Sequence, residues 1–121
     1  MSKHTSYKPA NDPQDLERFL VERQRAGDIE GMVALFEANA ILDPGEGPLV
    51  QGKNAIRALF TELVESGEKL ELGQQSPAII NGDLALTSVH APDGSTTAEV
   101  ARRQADGNWL WVIDKYSVLQ G

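Results

Sequence analysis

AGDIEGMVALFEANAILDPGEGPLVQGKNAIRALFTELV, from Ala26 to Val64, decides the fold. It reads as two amphipathic helices separated by a short strand. Gly27 stops a preceding helix, and Asp28 caps a shorter one whose stripe is Ile29, Met32, Val33 and Phe36. Ala38 to Asp43 is extended. Pro44-Gly45-Glu46-Gly47-Pro48 continues neither a helix nor a central strand, because proline lacks the N–H donor and glycine favours positive φ. Leu49 to Gln51 returns as a short strand. Gly52-Lys53-Asn54 then opens a helix in which Ile56, Leu59, Phe60, Leu63 and Val64 recur at helical spacing.

Upstream, Asp12-Pro13 predicts a helix start at about Pro13, with Leu16, Phe19, Leu20 and Arg23 on one face. Met1 to Asn11 has few apolar residues and is expected to form a loose tail ahead of one domain over 12–121. Downstream of Ser66-Gly67 the apolar period becomes two. Leu70 with Leu72, Ala78 to Ile80, Leu84 to His90, Thr96 to Gln104 and Trp109 to Leu119 read as strands joined by turns rich in Asn, Asp and Gly. The predicted class is α+β: three helices on the concave face of a strongly bent antiparallel sheet, with a conical cavity between them.

The 121 residues suit one core, and a charged fraction of 24% is that of an ordinary globular domain. A net charge of −7 disfavours binding to phosphate backbones. No apolar run approaches the roughly 20 residues that cross a bilayer, and the polar start lacks a signal core, so no membrane partner and a cytoplasmic location are expected. Without cysteine, and with only His4 and His90 as imidazoles, no metal and no cofactor is expected.

AGDIEGMVALFEANAILDP, the helix opening QGKNAIRALF and the closing pattern AEVARRQADGNWLWVID together resemble the nuclear transport factor 2-like superfamily, in particular its SnoaL-like and ketosteroid isomerase-like small proteins. The resemblance covers about Asp12 to Leu119. It implies a cone-shaped domain, a homodimer packed sheet against sheet, and a small organic molecule in the cavity. Allowing one deletion, it puts Asp43, before Pro44, at the isomerase general-base position. Leu20 and Ala101 fall where the isomerases carry oxyanion donors, and neither side chain can donate, so steroid isomerase chemistry is not expected.

Strand alternation from Ala101 predicts that Arg103 faces inward, and with it Val112, Asp114 and Tyr116 on the last strand. Asp43, Arg103 and Asp114 are the candidate catalytic residues: Asp43 as base, Arg103 as electrostatic stabiliser, Asp114 or Tyr116 as proton donor. In type this grouping resembles the Asp-Arg-Asp set of the superfamily's epoxide hydrolases. Tyr116, His90, Leu20, Ala101, Leu86 and Val112 are the candidate ligand contacts. Glu99 shares the parity of Arg103 and is either a third inward charge or an exposed strand start. Trp109, Trp111 and Ile113 are expected on the opposite, dimer-forming face; one slip of register would instead turn Arg102 and Trp111 toward the cavity. The expected function is binding of a small molecule, with cofactor-free isomerase, hydrolase or cyclase chemistry by acid-base residues. The alternatives are a binding protein without catalysis, and an interaction module whose cavity is filled by Leu84, Leu86 and Phe19.

Overall fold

In the computed structural model, which describes residues 7–119, the elements run α1 (Asp15–Arg25), α2 (Ile29–Val33), β1 (Phe36–Asp43), β2 (Val50–Gln51), α3 (Lys53–Glu65), β3 (Gln74–Gln75), β4 (Ile79–Asn81), β5 (Leu84–Thr87), β6 (Val89–His90), β7 (Thr96–Arg103) and β8 (Trp109–Leu119). Asp12 and Asp15 prime α1 reciprocally. The Asp12 carboxylate accepts the Gln14 N–H at 2.9 Å, and that of Asp15 accepts the Asp12 N–H at 3.2 Å, which satisfies amides that the first helical turn leaves unpaired. Gly27, at φ +73°, ends the α1 turn, and the Asp28 carboxylate caps α2 by accepting the Gly31 N–H at 3.0 Å. Phe36 belongs to β1 rather than to α2, which ends at Val33.

The strands form one open sheet in the order β2-β1-β8-β7-β5-β4, with β6 pairing both β3 and β7. The fold is the expected α+β cone with helices on the concave side. The sheet is mixed rather than wholly antiparallel, because β1 lies parallel to β8 with Leu42 opposite Asp114 and Asp43 opposite Lys115. No strand forms at Leu70 to Leu72. That segment is tied instead to α1 by Gln24, whose buried amide donates to the Glu68 carbonyl at 2.6 Å and accepts the Leu70 N–H at 2.9 Å.

A bulge in β8 governs which side chains face the helices. Ala101 pairs with Trp111 but Val100 pairs with Ile113, so Val112 is an extra residue and the alternation reverses across it. Trp109 and Trp111, expected on the outer face, are therefore in the core, 3% and 1% exposed. Ile113, beyond the bulge, is outside as expected, at 46% exposed. The Trp111 ring meets Phe36 at 5.1 Å between centroids, and Phe36 meets Phe60 at 5.7 Å, which ties β8 to β1 and α3.

Residues 1–6, including His4, lie outside the described residues. The remainder of the stretch expected to be loose makes specific contacts. Ala10 is buried, its N–H donates to the Asn108 side chain at 2.8 Å and its carbonyl accepts the Trp109 N–H at 2.9 Å, while the Tyr7 hydroxyl bonds Asp28 at 3.1 Å. Among the described residues no helix is long and apolar enough to cross a membrane.

Trp111→Ala should lower unfolding free energy by about 3–5 kcal/mol in chemical denaturation, the cost of removing a large buried aromatic side chain. Trp111→Phe should cost clearly less, since the Trp111 Nε1–H is buried without a partner and phenylalanine leaves no donor unsatisfied.

Candidate functional site

The tryptophans fill one end of the sheet, and at the other end the space between α1, α3 and strands β1, β7 and β8 stays open as a cavity of about 300 Å³. That is at the small end of the roughly 300–1,000 Å³ of ligand sites. Leu20 from α1, Leu42 from β1, Leu59, Phe60 and Leu63 from α3, and Leu70 make its apolar wall. Glu17, Glu68, Thr97, Glu99, Asp114 and Tyr116 supply the polar groups, and among the described residues no lysine or arginine lines it. Two clefts adjoin at Tyr116: one of about 450 Å³ between the Pro44–Glu46 loop and the turn at Asp93, and one of about 210 Å³ beside Glu68–Glu71. The larger cleft is an open surface feature, whereas the smaller space carries the partly buried carboxyl groups.

Four acidic side chains line that space, and three of them, Glu17, Glu99 and Asp114, have raised carboxyl pKa values. Glu99 and Asp114 are cross-strand partners on β7 and β8, and Glu17 reaches the cavity from α1. Burial raises the Glu99 carboxyl above its ordinary range, opposed by hydroxyls of Thr97 and Thr87, the latter donating at 2.7 Å. Asp114 is pushed well above the usual carboxylate range, first by burial and then by the charges of Glu99 and Glu17. Its side chain is half-buried and lines the cavity. Glu17 rises to about 7, again by burial first and the Glu99 charge second. Tyr116 stands at the mouth, its hydroxyl raised by burial and by nearby Asp93 and Glu68. Among the described residues, no three histidine, aspartate or glutamate side chains are grouped to hold a metal ion.

The structure brings together only part of the expected set. Asp114, Tyr116 and Leu20 line the cavity, and so does Glu99. Asp43 does not: the alternation that turns Leu42 inward turns Asp43 outward, where its carboxylate accepts from Lys115 Nζ at 2.8 Å and from the Gly45 N–H at 3.0 Å. The Lys115 hydrogen bond holds Asp43 below the usual carboxylate range, which makes it a poor base. Arg103 has the expected parity but the wrong place. Four residues along β7 from Glu99, about 13 Å at the strand rise, it sits over Trp109 and pairs with Asp83 at 2.9 Å rather than with Asp114. Ala101 is packed in the core against Trp111, and Val112 is the bulge residue, absent from the cavity wall.

Leu86 and His90 correct the parity expected of β5 and β6. Ala85 and Thr87 are the buried residues, opposite Ala101 and Glu99, so Leu84 and Leu86 face out and cannot fill the cavity. His90 is exposed, with Nδ1 3.1 Å from the Thr96 hydroxyl. Sequence reasoning missed Glu17. Its spacing from Leu20 and from buried Gln24 puts it on one helix face with them, and that periodicity was the available signal.

Raised carboxyl pKa values make stability depend on pH. Between the ordinary glutamate value of 4.5 and the folded value of about 7, the native state holds a proton at Glu17 that the unfolded chain has released. Unfolding free energy must therefore fall as pH rises through this window, by up to about 1.4 kcal/mol per pH unit for each such group. Denaturation curves from about pH 5 to pH 8 should show this decline, Glu17→Gln should flatten it, and Asp114→Asn should raise the melting temperature most at the alkaline end.

No protein-family model matches the sequence, and no curated protein matches it. Solved structures do match in shape. A Thiobacillus denitrificans protein described as a calcium/calmodulin-dependent protein kinase type II association domain superposes with a TM-score of 0.75 at 17% identity, over 96% of this chain and 100% of that one. An NTF2-like protein with a cystatin-like fold from Novosphingobium aromaticivorans gives 0.71 at 21% identity, over 88% and 79%. A ketosteroid isomerase-like protein from Erwinia carotovora gives 0.65 at 16% identity, over 84% and 89%. At such identities the likeness speaks to architecture alone, and by architecture this chain is an NTF2-like, cystatin-like α+β cone.

Proposed function

We propose that the cavity binds a small, largely apolar organic molecule and performs cofactor-free proton transfer on it, with Glu99 and Asp114 as a proton-sharing pair and Glu17 as the group that exchanges with solvent. The observation that carries this reading is the convergence of three carboxyl groups with raised pKa values on one apolar cavity. A carboxyl poised near neutrality is suited to both halves of a proton transfer, and enclosure keeps competing water away. Each negative charge on this wall raises the cost of ionising the next, which favours one member of the set as donor while another serves as acceptor. Asp43 and Arg103 have no part in this scheme.

A thermal-shift screen of small apolar ketones, epoxides, alcohols, acids and amines should give a saturable rise in melting temperature for at least one class, lost when Leu63→Trp fills the cavity. Proton transfer should then appear as deuterium uptake from heavy water into the bound compound, followed by NMR and lost in Asp114→Asn. No shift across the whole panel would remove the reading; a shift without deuterium uptake would leave binding without catalysis.

The outer face supports a homodimer. Ile79, Leu86, Val100, Ile113 and Ile41 are in register across β4, β5, β7, β8 and β1, which makes an apolar row on the side away from the helices. Arg102 with Glu37 at 2.9 Å flanks it on one side and Lys115 with Asp43 at 2.8 Å on the other. An apolar centre with a charged rim is the anatomy of a subunit interface, and a second copy of the same face is the partner proposed. The Trp109 and Trp111 contacts expected there are replaced by this row. Light scattering should give a dimer for the native chain and a monomer for the double variant Leu86→Asp, Ile113→Asp.

A further inference from the structure

We infer that the ligand is a small hydrophobic organic cation, an amine whose ammonium group docks among Glu17, Glu99 and Asp114 while its hydrocarbon body lies against Leu20, Phe60 and Leu63. The inference rests on the ligand-binding reading above and names its chemical class.

The first observation is Asp114. Its half-buried side chain faces the cavity and has no hydrogen bond or ion pair among the described residues; its cross-strand neighbour is another acid, Glu99. A poorly hydrated charge without a protein partner is expensive, and a proton, a hydrogen-bond donor or a cation relieves it, the cation most strongly. Among the described residues no lysine or arginine lines the cavity. Lys115 is paired with Asp43, Arg102 with Glu37 and Arg103 with Asp83, all away from the cavity. Lys69, at the rim, points its ammonium group at the Arg25 carbonyl, 3.4 Å away.

The second observation is the approach. The cleft leading in past Tyr116 carries Glu68, Glu71 and Asp93, so the entrance has the same sign as the interior and concentrates cations at the mouth. The third is the wall. An inorganic ion would leave the leucines and Phe60 unused and would find no grouping of three ligands, whereas an amine with a compact hydrocarbon body uses both halves of the cavity.

Proton bookkeeping follows from the same geometry. The groups facing the docking point are Glu17 from α1, Glu68 beyond α3, Glu99 from β7, and Asp114 and Tyr116 from β8. In the empty cavity Glu17, raised to about 7, is partly protonated near neutral pH. An incoming ammonium keeps all its own protons and stabilises the ionised carboxylate, so the proton released to solvent comes from the protein's carboxyl group. Occupation by the cation thereby creates the base that the proposed proton transfer needs.

Isothermal titration at about pH 7.5 with benzylamine and cyclohexylmethylamine, and with their alcohol and carboxylate counterparts, tests this. The amines should bind at least tenfold more tightly than the alcohols, the carboxylates should not bind, and the heat should vary with buffer ionisation enthalpy in the sense of proton release. Asp114→Asn should weaken the amines at least tenfold and the alcohols far less, and Glu99→Gln provides the same comparison should the first variant fold poorly. Alcohols binding as tightly as amines would overturn the cation while leaving the cavity reading intact. Binding by none of the compounds would overturn both, and unchanged amine affinity in both variants would place the amine outside the cavity and overturn the inference.

Discussion

The extra residue at Val112 is the constraint on which the rest of the molecule depends. Without it β8 would keep one parity from Trp109 to Tyr116, and the strand could either fill the core or line a cavity, but not both. With it, Trp109 and Trp111 point under the helices and complete the hydrophobic core with Phe36 and Phe60, while two residues later Asp114 and Tyr116 point to the same side and meet empty space. The strand thus builds the packed end and the open end of the cone, and the reversal costs only a local disruption of the ladder between Val100 and Ala101.

The two ends differ in energetic character. At the packed end, apolar burial is supplemented by tilted aromatic contacts. At the open end, beside the doubly hydrogen-bonded Gln24 amide, Glu17, Glu99 and Asp114 line one partly buried wall. Hydroxyls of Thr87 and Thr97 relieve one of the three; the others are relieved only by protons or by what enters the cavity. Such a concession of stability in one corner of an otherwise well-packed domain is what a functional site looks like in physical terms.

The architecture was legible because it rests on signals that are local and strong: the periodicity of Ile56 to Val64, the caps at Asp12 and Asp28, the glycine stops and the period-two strands. The site was legible only in part. Asp114 and Tyr116 followed from alternation and Leu20 from the resemblance to the isomerases, but alternation assumes an unbroken strand, and nothing in WLWVID marks Val112 as a bulge, so the tryptophans were placed on the wrong face. Asp43 drew attention because it precedes proline at a turn, yet the strand that carries it turns Leu42, not Asp43, toward the cavity. Arg103 shows the second limit: parity gives the side of a sheet and says nothing about how far along the cone a residue sits. The parallel pairing of β1 with β8 joins distant parts of the chain, which no local pattern encodes.

The alternation that separates Glu99 from Val100 and Asp114 from Ile113 by a single peptide has a consequence for how this chain can change over time. The same two strands show acids to one side and the aliphatic row to the other, so losing or gaining one residue in either strand would exchange the two sets. Carboxylates would then face outward and isoleucine would block the interior. Point substitutions carry no such penalty. Descendants of this sequence are therefore free to alter what they hold by exchanging side chains, while the lengths of β7 and β8, and the extra residue between Trp111 and Ile113, remain fixed.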